Sequence, residues 1–279
     1  MLGYAASFSN VVAIATANVF AGKATSLRDF RVTFRFTSSI VLSICLLFAI
    51  FNHGTFQSRD FLIGLFSGIS GGLGIPLAYK SFAVGPVAYV SPLLSVVQTS
   101  AIVVFVAATG HSISLILIMA FLLGIIGVYL AGKPKVLETT NLVKISRTTI
   151  LAALFFSGFS IGMSRVGQGQ SITGLTGARV GVFLVAFSLF RSKASQENGK
   201  LESSWLKFTI VSALMEFIAN YSYVLAIKNL DLAKLGIIIS TSSIFATLVA
   251  IPVMKQKPRL INWIGILIAT SSLILVAVA

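Results

Sequence analysis

Glu216, in the run "SALMEFIANYSY", is the only acid well inside an apolar stretch of this 279-residue chain. A charged side chain at the centre of a bilayer costs about 3 kcal/mol or more, so it is kept for a partner or a task. Asn220 follows at i+4 and Tyr223 at i+7, which puts all three on one face of a helix. Two readings stand: a cavity-lining site for a proton or a cationic group, or one half of a structural ion pair with an arginine from a neighbouring helix. Arg35 and Arg179, also inside apolar runs, are the candidate partners, either for Glu216 or for an anionic group of a substrate. Their alternative is snorkelling, the stem in lipid and the charge at the headgroups. Lys80, near a helix end, faces the same choice, and Lys228 and Lys234 flank the turn "NLD" as interfacial anchors.

A second constellation lies in "GPVAYVSPLLSVVQ", residues 85–98, where two prolines and several polar groups interrupt apolar sequence. Pro86 suits the first turn of a helix, where its missing N–H is harmless. Pro92, further in, frees a backbone carbonyl. At membrane depth such a carbonyl must face protein or a wet cavity. Ser91, Ser95, Gln98 and Thr99 surround that bend, and Ser240, Thr241 and Ser243 repeat the theme later, so both segments are expected to line a cavity.

Other chemistry is weaker. "GISG" at 68–71 matches the Gly-x-Ser-Gly pattern of intramembrane serine proteases, with Ser70 as nucleophile. A serine nucleophile needs a base in reach, and the two histidines, His53 and His111, fall in short loops. "GKATS" at 22–26 lacks the upstream glycine and the following Ser/Thr of a phosphate loop. The single cysteine, Cys45, leaves no disulfide framework and no metal cluster.

These groups must be held by elements built for lipid. The chain is 56% hydrophobic and only 10% charged, with a mean hydropathy of +0.97, whereas soluble domains carry about a quarter charged residues. It is therefore a polytopic membrane protein whose partner is the bilayer. The net charge of +14 orients helices and does not indicate nucleic acid, because the bases cluster between apolar runs. The first apolar stretch has no basic leader, so no cleaved signal is expected.

With about 20 residues per crossing, ten transmembrane helices are predicted, at 4–21, 30–52, 61–83, 86–107, 113–132, 148–165, 174–190, 205–229, 232–254 and 260–279. The longer connections are "KPKVLETTNLVKISR" and "RSKASQENGKLESS". The expected organisation is a first five-helix repeat over 1–134, a connecting loop at 135–147 and a second repeat over 148–279. At an offset of 145 residues Ser95 falls on Ser240, Ala101 on Ala246 and Leu122 on Leu267. Five helices is an odd number, so the second copy enters the membrane inverted, a common build for secondary transporters. Lys and Arg concentrate in the loops after odd-numbered helices, which predicts those loops cytoplasmic and both termini outside. Gly64, Gly68 and Gly72, then Gly158 with Gly162 and Gly177 with Gly181, allow close helix contact, within the monomer or across a homodimer.

"AYKSFAVGPVAYVSPLLSVVQTSAIVVFV" resembles the third-to-fourth helix junction of the drug/metabolite transporter superfamily, EamA type. Arg35 in "FRFTSSIVL" sits where that family has an arginine in its second helix, and "PRLINWIGILIATSSLILV", with Gly265, is similar to its last helix. The family's glutamates before the fifth and tenth helices are replaced by His111 and Gln256, and its usual topology has both termini cytoplasmic, against the charge count. The resemblance implies a ten-helix permease of the cell membrane, with a central cavity between two inverted repeats and a small-molecule substrate. It implies no cofactor and no ATP hydrolysis. A transporter acting by alternating access, a channel or scaffold, and least of all an intramembrane protease are the alternatives at this point.

Overall fold

A computed structural model describes residues 1–51, 56–85, 87–110, 114–131, 139–167, 169, 171–189, 203–255 and 259–278. Pro86, His53, His111, Gln256 and most of the two long connections lie outside these residues. The described chain is helical: α1 (Leu2–Leu27), α2 (Phe30–Phe51), α3 (Ser58–Val84), α4 (Val87–Ala108), α5 (Leu115–Ala131), α6 (Thr139–Met163), α7 (Ser171–Ser188), α8 (Ser203–Ile227), α9 (Leu232–Ser240), α10 (Ser242–Met254) and α11 (Leu260–Val278). Helices α1–α4 and α6–α8 are long and apolar enough to cross a membrane, as is Leu232–Met254, which α9 and α10 form together. The shorter apolar α5 and the 19-residue α11, which pack on each other, complete the ten predicted segments.

Two elements differ from expectation. Helix α6 starts at Thr139, inside the segment predicted as a loop. Its extra turns carry Lys144 and Arg147 and project past the apolar run rather than crossing lipid. The ninth segment is broken at Thr241, whose N–H reaches the carbonyls of Ile238 and Ile239. No proline causes this break. Four hydroxyls wrap it, with Ser240, Thr241, Ser243 and Thr247 each donating to a carbonyl three or four residues back. Such back-bonding competes with the helix ladder and bends helices. Helix α4 runs on through Pro92, and α3 through Pro76.

Contacts made by helices of one half have counterparts made by helices of the other. Helix α1 runs antiparallel to α8, with Asn10 Nδ2 donating to the Ala219 carbonyl at 2.7 Å and Ser212 Oγ to that of Ala17 at 3.0 Å. Helix α6 runs antiparallel to α3 in the matching way: Ser70 Oγ donates to the Phe155 carbonyl at 2.8 Å and Ser81 Oγ to Thr148 at 2.9 Å. Moving the Ala17–Ser212 contact by the offset of 145 gives Gly162 and Ser67, and these two touch. Helix α4 likewise packs on α6 as α9–α10 packs on α1. Three pairs lie across the pseudo-twofold relation between the halves: α2 on α7, α4 on α9–α10 and α5 on α11.

The glycine spacing serves this packing within the chain. A Cβ at Gly64 or Gly68 would run into the backbone of Gly174 or Ala178, and one at Gly177 or Gly181 into that of Phe61 or Leu65. Helices α3 and α7 therefore lie backbone to backbone, the close approach that small residues four apart permit. Gly158 and Gly162 bring α6 against Ser70 and Ser67 on another side of α3. At one end of the bundle Asp60, buried in the first turn of α3, accepts the Gly167 N–H at 2.8 Å and ties down the α6–α7 turn.

Candidate functional site

Close packing of α3 and α7 and the antiparallel pair α1–α8 enclose a central cavity of about 100 Å³, room for several waters. Helix α8 presents Glu216, Ala219, Asn220 and Tyr223 to it, the face predicted from the i, i+4, i+7 spacing. Helix α7 brings Arg179 and Val182; α3 brings Gly71, Ile75 and Tyr79. From α1 come Asn10, Ile14 and Asn18, from α4 Leu94 and Gln98, and from α6 Phe156, Phe159 and Ser160. Ile239 and Ser242 enter from either side of the helix break.

At its centre is an ion pair. Arg179 Nη1 donates to Glu216 Oε1 at 2.6 Å, with side-chain exposures of only 3% and 9%. Charge-assisted bonds of this length are the strong ones. The other carboxylate oxygen, Oε2, accepts from the Tyr79 hydroxyl at 3.3 Å, and Thr37 Oγ1 lies 3.4 Å from that hydroxyl. Arg179 can stand here because Gly177 and Gly181 beside it remove the bulk that would hold α7 off α3.

The remaining polar wall is tied to backbone. Asn220 Nδ2 donates to the Glu216 carbonyl at 2.6 Å, Tyr223 Oη to that of Ser160 at 3.1 Å, and Gln98 Nε2 to Ser160 Oγ at 3.3 Å. Two buried atoms in this wall have no hydrogen-bond partner among the described residues: Asn10 Oδ1 and Arg179 Nε. The Asn10 amide cannot be turned over to relieve this, because its nitrogen already faces the Ala219 carbonyl, which only accepts.

Of the residues singled out from sequence, Glu216, Asn220, Tyr223, Arg179 and Gln98 meet at this cavity. Arg35, Ser91, Ser95 and Ser240 are not among its lining residues. Arg35 is half-buried on the α2–α7 seam, its guanidinium 4.3 Å from the Phe187 ring centroid. The reason is register. Arg35 and Arg179 are 144 residues apart in a chain that repeats at 145, so the true counterpart of Arg179 is Phe34. That one-residue slip turns Arg35 about 100° around the helix. Phe34 is fully buried and packs edge-on against Tyr79, ring centroids 6.4 Å apart.

Ser91, Ser95 and Thr99 form their own stripe on α4, buried against the broken helix. Ser95 Oγ lies 3.4 Å from Ser242 Oγ, and Thr99 Oγ1 donates to the Gly236 carbonyl at 3.0 Å. Ser240 bonds the carbonyl of Ile237 and lies on the side of Gly124 in α5. Ser70 spends its hydroxyl on the Phe155 carbonyl, an interhelical tie. Lys80 is exposed, with its ammonium over the Phe30 ring.

Sequence reasoning missed Asn10, Asn18, Tyr79 and the aromatic pair Phe156 and Phe159. Asn10 and Asn18, two amides eight apart in the first apolar run, were a usable signal; a phenylalanine in such a run carries none.

Fold and site together define a multi-pass helical membrane protein with a buried ion pair facing a cavity in its helix bundle. Residues 147–278, which include both Arg179 and Glu216, match the EamA-like transporter family. It is also similar to a solved crystal structure over 98% of this chain and 98% of that one, with a TM-score of 0.73 and 16% sequence identity; this likeness shows the shared fold alone. No curated protein matches the chain.

Proposed function

We propose that this chain is a secondary transporter, not driven by ATP, that carries a small polar or amphiphilic metabolite by alternating access, with the central cavity as its solute site. One observation supports this most: a buried ion pair, Arg179–Glu216, facing a cavity at the junction of two inverted repeats. A pair kept for stability alone gains little, since well-packed apolar residues often serve a core as well. At the offset of 145, Glu216 falls on Gly71, which lines the cavity, and Arg179 on Phe34, which does not, so both charges come from the second half.

The orientation that fits the charges has both termini outside the cell. Lys23, Arg28, Arg31, Lys144, Arg147, Lys207, Lys255 and Arg259 all belong to one end of the bundle, where the Trp205 indole donates to Thr33 and Arg28 stacks over Trp205. By the positive-inside rule that end is cytoplasmic.

The test is counterflow. Liposomes holding the purified protein are loaded with one unlabelled solute at a time, from a panel of anionic, neutral and cationic metabolites, and uptake of the labelled form is followed. Transient accumulation above equilibrium for any solute supports a carrier. Equilibration without overshoot means a channel, and exchange of nothing in the panel means a scaffold.

A further inference from the structure

The ion pair poses a problem that its surroundings answer. Arg179 is nine-tenths buried and uses Nη1 on Glu216, while its Nε is left without an acceptor among the described residues. A guanidinium is a planar fork whose adjacent N–H groups suit the two oxygens of a carboxylate. A solute that takes the place of Glu216 on this fork therefore carries a pair of anionic oxygens.

An anion cannot simply join Arg179 while Glu216 keeps its charge. The site would then hold two negative charges against one positive in a place where unpaired charge is expensive. Two states are neutral. In one, the arginine pairs with the ionised Glu216. In the other, Glu216 holds a proton and the arginine pairs with the incoming anion. The ionisable groups facing Glu216 do not upset this balance. They are Arg179 from α7, Tyr79 from α3, Tyr223 from its own helix, and Cys45 of α2, which is buried close enough to feel both charges. The wall residues from α1, α4, α6, α9 and α10 carry no ionisable group.

We propose that the site takes up one small monocarboxylate together with one proton: the carboxylate on Arg179 and the proton on Glu216. The solute displaces Glu216 from Arg179, and the released carboxylate takes its proton from the aqueous phase that admits the solute. Loaded and empty sites are both neutral, so both can cross between the two access states, whereas a site with only the proton or only the anion is charged and does not. This makes the protein an obligate proton–anion symporter. The inference rests on the cavity being the solute site.

The experiment measures proton uptake by purified protein in weakly buffered detergent, with a pH-indicator dye, on addition of glycolate, L-lactate or the neutral isostere lactamide. The expected result is binding of glycolate and lactate with about one proton taken up per anion. The apparent affinity should fall up to about tenfold per pH unit once Glu216 is ionised in the empty site, and lactamide should not bind. Glu216→Gln, which keeps the shape of the protonated acid, should bind lactate with no proton uptake and no pH dependence.

Each single variant leaves one buried charge without its partner, so Glu216→Gln is purified with lactate present to pair Arg179, and the control is the double variant Arg179→Gln/Glu216→Gln, which leaves no lone charge and should fold without binding lactate. Lactate binding without proton uptake, binding of lactate by the folded double variant, or no binding of either carboxylate each overturns the proposal. If carboxylates fail but another solute shows counterflow, the carrier survives and only the coupling is wrong. If no solute is exchanged at all, the carrier reading falls with it.

Discussion

The hydroxyl of Tyr79 donates to Oε2 of Glu216 at 3.3 Å, reaching from α3 to α8 across the wall of the cavity. Tyr79 is thus a positioning residue for the carboxylate, opposite the oxygen that Arg179 holds. Tyr79→Phe keeps the ring packed on Phe34 and removes only the donor. Loss of one such bond costs about 1 kcal/mol, so the variant should fold. Without the donor the carboxylate is held from one side only, so solute uptake should weaken. Uptake in liposomes at the wild-type rate and apparent affinity would show that the contact has no bearing on Glu216.

The backbone contact of α3 and α7 predicts which glycines the fold depends on. Gly68→Ala puts a methyl group into the Ala178 carbonyl, and both backbones are fixed. Overpacking of this kind costs about 1–3 kcal/mol, enough for a clear drop in melting temperature in detergent. Leu122→Ala, on the exposed face of α5, should leave the melt nearly unchanged. Equal melting temperatures for the two variants would mean that the helices part easily.

Cys45 is buried and is the only cysteine, so a cysteine-free background is one substitution away. In Cys45→Ala protein, a cysteine placed at exposed Asn229 should react with a membrane-impermeant maleimide on intact cells, and one at exposed Lys207 should not. A C-terminal alkaline phosphatase fusion should likewise be active and a green fluorescent protein fusion dark. The reverse labelling pattern would put both termini in the cytoplasm and reject the charge count.

Much of this arrangement was legible in the residues, and the misses have physical causes. Ten apolar runs carried the fold, because lipid demands long uniform helices. Glu216, Asn220 and Tyr223 were legible because one acid in an apolar run is costly and helical spacing puts the three together. Arg35 misled by one residue of register, a difference that spacing alone cannot assign to a face. Ser91 and Ser95 misled for a related reason: a polar stripe on α4 can face a cavity or a neighbouring helix, and here it faces the hydroxyl-wrapped break at Thr241 while Leu94 and Gln98, about 60° away, take the cavity. Tyr79 gave no sign of its role, since its partner lies 137 positions along the chain.

The carboxylate of Glu216 carries the central claim, and Glu216→Gln tests it most directly, by counterflow and proton-driven uptake of the same solute in liposomes across a range of pH. Replacing the carboxylate with an amide keeps size and shape and removes the charge. The account predicts that Glu216→Gln, prepared with solute bound so that Arg179 keeps an anion, folds and carries counterflow that no longer depends on pH, while a proton gradient ceases to drive accumulation. Glu216→Gln protein that transports at the wild-type rate with the wild-type pH profile would contradict it.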